Sequence, residues 1–464
     1  MNRRHFPGAT APMRSLTAKA LFLMLWITGG VVLAAEFEAG FARINITPPT
    51  PFWMSGYAAR THPSEGVMQQ LWAKALALQD PSGHRVVLVT TDLIGIPRDL
   101  SEEVFGRARK QYKLNRSELV LSCSHTHCGP AVGRNLSVLF DFNAEHEKKV
   151  KTYSADLTTK LLQLIGDALR AQQPANLAFG QGNVGFAINR RAPGAAGFRI
   201  GVNTNGPVDH SVPVLRVTAP DGQLRAVLFG YACHNTTLGG DFYRINGDYA
   251  GLAQETIETT HPGATALFMM LCGGDQNPNP RGTVPLAQQH GEALASEVTR
   301  VLGTDLRPVR APIRTASDIT SLELAPHTRQ GFEEETKHAD KFRQRRARLM
   351  LDAYDHKKPV RQVPYPVQAV RFGQDLTLLT LGGEVVVDYG LRAKREFSGE
   401  NLVVAGYCND VMCYIPSKRV LLEGGYEAVD NMIYYGMPGP FTPTVEDRVF
   451  KSIQKVMKKV GARP

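Results

Sequence analysis

Residues 122–130 read SCSHTHCGP and set His125 and His127 one residue apart between Cys123 and Cys128. Imidazole is both a common metal ligand and the side chain that titrates near neutral pH, so the pair points to a metal or to proton transfer. Alone it is a weak metal signal, because on a strand the two rings would face opposite ways. Three other positions strengthen it. His234 follows the apolar run LRAVLFGYAC, Glu384 follows LTLLTLGG, and a tyrosine or acid near Tyr414 follows NLVVAGYCNDVMC. Two histidines, a carboxylate and a fourth oxygen form a zinc set with room for water. Zinc lowers the pKa of such a water toward ~7 and polarises a carbonyl, so the expected chemistry is hydrolysis.

These residues need strand ends to carry them. RVVLVTTDLIG reads as a buried strand reaching Asp92, and SEEVFGRARKQY as a helix capped by Ser101. ELVLSCSHTHCGP reads as a strand that delivers His125 and His127 to its C-terminal edge, where open α/β sheets bind ligands. EHEKKVKTYSADLTTKLLQLIGDALRAQ follows as a helix. LRAVLFGYACHNTT and ATALFMMLCGGDQNPNPRG repeat the strand-to-loop arrangement, and DLTLLTLGGEVVVDYGLRAKREF reads as strand, Gly-Gly turn and a helix from about Glu384. The fold class expected is α/β, a mixed sheet with flanking helices and a zinc site at strand C-terminal ends. The charged stretch GFEEETKHADKFRQRRARLMLDAYDHKKPVRQ reads as an exposed helical excursion, and residues 441–464 as one amphipathic helix.

The N-terminus reads as an export signal. Arg14 and Lys19 precede the apolar run ALFLMLWITGGVVLAA, which is short for a membrane span and broken by Gly29 and Gly30. Cleavage after Ala35 is expected, giving a signal peptide over 1–35, one domain over 36–464 and a periplasmic or secreted protein. Removing the four cations of residues 1–35 lowers the formal charge from +10 to +6. A mildly basic body does not indicate a nucleic-acid binder, but it is compatible with transient contact with a membrane surface. With six cysteines in 464 residues the chain is no small disulfide scaffold. Cys123 with Cys128 and Cys408 with Cys413 are each either a disulfide or a pair of buried thiols.

An ordered series of segments resembles the neutral, non-lysosomal ceramidase family. SCSHTHCGP is similar to its His-Thr-His-x-Gly-Pro motif. GFARINITPP with MSGYA, INRRAP, GYACHNTTLGG with INGDYAG, LGGEVV, and GYCNDVMCY with GGYEA follow in the family's order from about residue 38 to about 430. The resemblance implies that His125, His234, Glu384 and Tyr414 ligate zinc, and that His127, Arg190 and Tyr426 line the substrate site. His127 would move a proton, while Arg190 and Tyr426 would hold a carbonyl oxygen or oxyanion. Arg191 stands beside Arg190, so the register there is open by one residue.

Two departures bear on the substrate. The family's Gly-Asp-Val-Ser-Pro-Asn is GDQNPN here, so Asn277 stands where the serine would be. An amide is no nucleophile, which leaves zinc-bound water in that role and Asn277 to orient substrate or water. The family's C-terminal β-sandwich has no counterpart before residue 464. The resulting expectation is an exported zinc amidohydrolase acting on a small-molecule or lipid N-acyl substrate. A zinc hydrolase of a non-lipid acylated compound, or a non-catalytic binding protein with the same fold, are the alternatives.

Overall fold

Side chains alternate along a strand, so Val87 and Val89 face one way and Val86 and Leu88 the other. All four are buried, because this strand lies in a sheet covered on both faces. The computed structural model describes residues 1–5, 7–8, 35–195 and 197–463. Ala34–Pro464 forms one compact unit. Residues 6 and 9–34 of the expected signal segment lie outside the described residues. Among those described, no helix is long and apolar enough to cross a membrane.

The main sheet has nine strands. Its hydrogen-bonded path runs Thr265–Met270, Leu224–Tyr231, Ser211–Thr218, Gln173–Asn183, Phe37–Asn45, Trp72–Gln79, Arg85–Thr91 and Leu119–Cys123, with Arg307–Val309 joined to Gln173–Asn183. A second sheet holds Ile313–Glu323, Gln362–Phe372, Leu376–Leu381 and Leu402–Ala405 in that order. Three apolar layers result. Val87 and Val89 pack with Leu161 and Ile165 of helix Ala144–Arg170 and with Leu294 of helix Val284–Leu302. Leu76, Leu88 and Leu228 pack with Val370, Phe372 and Leu378 between the sheets. The outer face of the second sheet packs on Val449, Ile453 and Val456 of helix Val445–Val460. Each such aliphatic side chain, removed from water, contributes about 1.5–3 kcal/mol. The chain is thus mixed α/β, helices on both outer faces, as the sequence pattern implies.

Only three strand pairs in these two sheets are parallel: Arg85–Thr91 with Leu119–Cys123, Leu224–Tyr231 with Thr265–Met270, and Leu376–Leu381 with Leu402–Ala405. Each pair is bridged by a crossover helix, respectively Arg98–Tyr112, Asp248–Thr260 and Val387–Glu396. The loops leaving the three pairs are stitched together by isolated bridges, Thr126 to Asn235, Ser122 to Cys408 and Leu271 to Ala405. Three carboxyl ends therefore meet in one place, the geometry that makes a binding crevice in α/β sheets.

Two local expectations need correction, and two others are made more definite. The helix expected to begin at Ser101 begins at Arg98, after Pro97; Ser101 lies inside it and its hydroxyl donates to the Arg98 carbonyl. Pro97 supplies a fixed backbone angle at the cap position, and Asp99 in the first turn accepts from Leu100 N. The helix expected near Glu384 begins at Val387, and Glu384 sits instead in a two-residue strand paired with Tyr414–Ile415. The charged excursion is two helices, Arg329–Glu335 and Lys341–Asp355, anchored by Phe332, Ala347 and Met350. The cysteines are all free and buried, so the thiol alternative holds for both pairs.

Candidate active site and metal centre

His125 and His127 do not obey strand parity, because the strand stops at Cys123. Beyond it His125 takes a left-handed backbone, φ +61°, which turns its ring back toward that of His127. Such a conformation is strained for a residue with a Cβ and must be held by its surroundings. The holding contacts are a backbone bond from His125 N to Leu93 O and a ring bond from Nδ1 to Ile94 O at 2.6 Å. His234 leaves its own strand likewise, with Nδ1 2.8 Å from Gly273 O. A carbonyl oxygen only accepts, so both Nδ1 atoms donate to it and both Nε2 atoms are left to face the cluster.

The Nε2 atoms converge on a shared group of polar atoms. Glu384 Oε2 lies 3.0 Å from His125 Nε2 and 3.0 Å from His234 Nε2. Tyr414 Oη is 2.9 Å from His234 Nε2, and His127 Nε2 is 3.2 Å from His125 Nε2. The ring nitrogens of His125, His127 and His234 lie within 4.8 Å of one another, so the three form a group that could hold a metal ion. Burial pushes His234 down to about 3 and His127 well below its ordinary value. Burial pushes Glu384 up, but His125 and His234 hold it well below the usual carboxylate range. Imidazole nitrogens, a carboxylate and a phenol oxygen gathered at these distances form a nest of donors that suits zinc. All four expected ligands are brought together here. His127, expected only at the substrate, stands near enough to be a fifth.

The nest forms one wall of a cavity of about 300 Å³. His127, Glu384 and Tyr414 line it, as do Arg190, Asn277 and Tyr426. His125 and His234 do not; both are wholly buried, whereas His127 keeps 9% of its surface. The one-residue question at Arg190 is decided by a bulge in the hairpin Ala187–Gly194 with Gly197–Asn203. Arg190 points inward and donates to Tyr414 Oη at 2.9 Å, Asn277 Oδ1 at 3.2 Å and Glu427 Oε1 at 2.8 Å. Arg191 points away, to Glu423 and to Glu427 Oε2. Burial opposes the Arg190 charge, but Tyr414 and Glu427 hold it firmly. Asn277 is reached because Gln276–Pro278 pairs with the same hairpin, and its Oδ1 also accepts from Thr236. Among the described residues no acceptor takes its NH2 group, which leaves that group to donate.

Several residues of the site carried no sequence signal. Tyr435 donates to Glu384 Oε1 at 2.5 Å and lines the cavity. Tyr407 stacks obliquely on His125, with ring centroids 4.5 Å apart. Glu427 anchors both arginines. Each lies in irregular or short helical backbone, where no periodicity marks an inward face. The Tyr434–Tyr435 pair was the one available hint, since tyrosine is costly to bury unless its hydroxyl finds a partner.

Comparison with known proteins follows the same lines. Residues 37–298 match the family described as neutral/alkaline non-lysosomal ceramidase, N-terminal. Neutral ceramidase A of Dictyostelium discoideum is 27% identical over 278 residues, covering 53% of this chain and 37% of that protein. Neutral ceramidase of Drosophila melanogaster is 29% identical over 125 residues, 26% of this chain and 18% of the other. The matches thus span well under two thirds of these relatives. The crystal structure of neutral ceramidase from Pseudomonas aeruginosa superposes with a TM-score of 0.68 at 18% identity, covering 93% of this chain and 75% of that one. A second structure, described as ceramidase complexed with C2, gives 0.70 at 17% identity, with coverages of 93% and 77%.

Proposed function

We propose, because this chain belongs to the neutral/alkaline non-lysosomal ceramidase family, that it is an exported zinc-dependent hydrolase of N-acyl amide bonds. Residues 1–35 would be its export signal and 36–464 its catalytic domain. The observation that carries the reading is the nest of His125, His234, Glu384 and Tyr414 opening onto a cavity beside His127 and Arg190. When bound, zinc supplies a Lewis acid that acidifies water and polarises the amide carbonyl. His125, His234, Glu384 and Tyr414 would hold it.

The chain's own groups divide the remaining work. Arg190, kept charged and rigid by Glu427, offers its guanidinium to charge developing on the carbonyl oxygen, with Tyr426 beside it. His127 reaches the cavity, where it would take a proton and return it to the leaving amine. Asn277 orients substrate or water through its free NH2 and forms no acyl-enzyme. Leu136, Leu139 and Ile200 give the cavity apolar walls, which suits an acyl chain.

The test is metal analysis of purified protein followed by turnover of ceramide, other lipid amides and N-acyl amino acids. About one zinc per chain and zinc-dependent release of carboxylate are expected. A zinc-loaded protein that hydrolyses none of these amides would refute the enzymatic reading; hydrolysis confined to non-lipid substrates would replace the lipid class.

A further inference from the structure

His127 packs against the Tyr57 ring, with ring centroids 4.8 Å apart. Tyr57 in turn holds Arg281: its Oη donates to Leu238 O at 2.7 Å and accepts from Arg281 Nη2 at 3.2 Å. Tyr57, His127 and Arg281 all line the catalytic cavity. The backbone on either side of Arg281 is pinned, with Pro280 O 2.7 Å from His290 Nε2 and Gly282 N donating to Thr237 O at 2.7 Å. A cation is thus fixed at the cavity wall, four residues beyond Asn277.

Nothing in the cavity answers its charge. Glu384 is the one carboxylate among the described lining residues, and it faces the metal nest. Arg190 lines the cavity too, but Glu427 neutralises it. Buried Arg60 and buried Asp248 act on Tyr57 with opposite signs, and their charges cancel. Among the described residues no carboxylate pairs with Arg281, and Asp241, on the loop packed on Tyr57, neither lines the cavity nor reaches it. Arg281 spends one of its five N–H donors on Tyr57 and keeps the others.

Position says which half of a substrate meets this cation. Leu139 lies in the turn Ser137–Leu139, which adjoins Asn431–Tyr434, so the leucine wall and Tyr434 form one side of the cavity. His127, Tyr57 and Arg281 form another. On the amidase reading the acyl chain takes the apolar side and His127 protonates the leaving amine. The amine half therefore extends past Tyr57 toward Arg281.

We propose that Arg281 is a specificity residue: it binds an anionic group, carboxylate or phosphate, carried on the amine half within a few bonds of the amide nitrogen. The proposal rests on the amidase reading for which half of the substrate it assigns. A guanidinium matches either anion through paired N–H donors.

The experiment compares two matched pairs on the full, zinc-loaded chain. N-octanoylglycine is set against N-octanoylglycinamide, and N-octanoylethanolamine O-phosphate against N-octanoylethanolamine, following octanoate release. At least one anion is expected to exceed its neutral partner about tenfold in kcat/KM, as a charge-assisted hydrogen bond would give; which one does so identifies the head group. Arg281→Gln should bring that ratio to about one through KM, and Arg281→Lys should restore part of it. Equal kcat/KM within both pairs, a preference that survives Arg281→Gln, or an equal loss on anionic and neutral amides alike would overturn the proposal; the last would make Arg281 a prop for Tyr57. If no amide is hydrolysed, the amidase reading fails by itself. Calorimetric binding of the same pairs to wild type and Arg281→Gln then decides the matter: a preference for an anion that is lost in the variant supports the anion site, and its absence overturns it.

Discussion

Glu384→Gln tests the metal centre at its most informative atom. Glu384 Oε2 lies 3.0 Å from two imidazole Nε2 atoms whose Nδ1 hydrogens are spent on backbone carbonyls. Gln keeps the shape and the bond from Tyr435 but removes the only carboxylate in the nest. Metal that binds the folded chain alone adds about 2.7 kcal/mol of stability at a hundredfold excess over Kd. Unfolding entropy is about 2.1 cal/mol/K per residue. Across the unit Ala34–Pro464, wild-type Tm should therefore rise by roughly 3 °C when zinc is added at that excess. Losing a charged ligand should weaken the site at least ~100-fold, as the loss of even a supporting partner can. At the same zinc concentration the rise then shrinks to roughly 0.5 °C. The assay is calorimetric melting of chelator-treated protein, wild type and variant, with and without zinc. An equal zinc-induced rise in the two proteins would refute the assignment of Glu384 as a ligand and the metal-binding nest built around it.

His127→Ala should retain zinc and lose on the order of 10²–10⁴ in turnover; loss of the metal would make His127 a ligand, and unchanged turnover would leave it a structural role. Asn277→Ala should weaken turnover without abolishing it, and Asn277→Ser should be tolerated; complete loss in Asn277→Ala with zinc retained would contradict an orienting role. Burial raises the Asp275 carboxyl to about 6, above its unfolded value of 3.8. The folded chain therefore holds that proton more tightly, and the contribution to stability is full below about pH 4 and lost as pH rises through about 6. Asp275→Asn should gain on wild type by roughly 3 °C in Tm between pH 4 and pH 7; a pH-independent difference would clear Asp275 as the titrating group.

Period-2 and period-3.6 patterns carried much of the architecture. The VVLV core of RVVLVTT is continuously apolar because its strand is covered on both faces, and the terminal segment is amphipathic because one side of Val445–Val460 packs on a sheet. Runs such as LVLSC and LRAVLFGY end where polar side chains begin, so His125, His234 and Glu384 could be placed at strand ends from local order alone, and the resemblance singled out Tyr414 from its neighbours. Orientation was another matter. Whether His125 and His127 face together depended on one left-handed residue beyond the strand, and whether Arg190 or Arg191 enters the cavity depended on a bulge. Tyr435 meets Glu384 across 51 positions of sequence. Local sequence dictates which backbone forms and which face is apolar, because those energies arise between near neighbours. The approach of His125, His234 and Glu384 to 3.0 Å is decided by three parallel strand pairs and the bridges between their loops, contacts that exist only once the sheets have assembled.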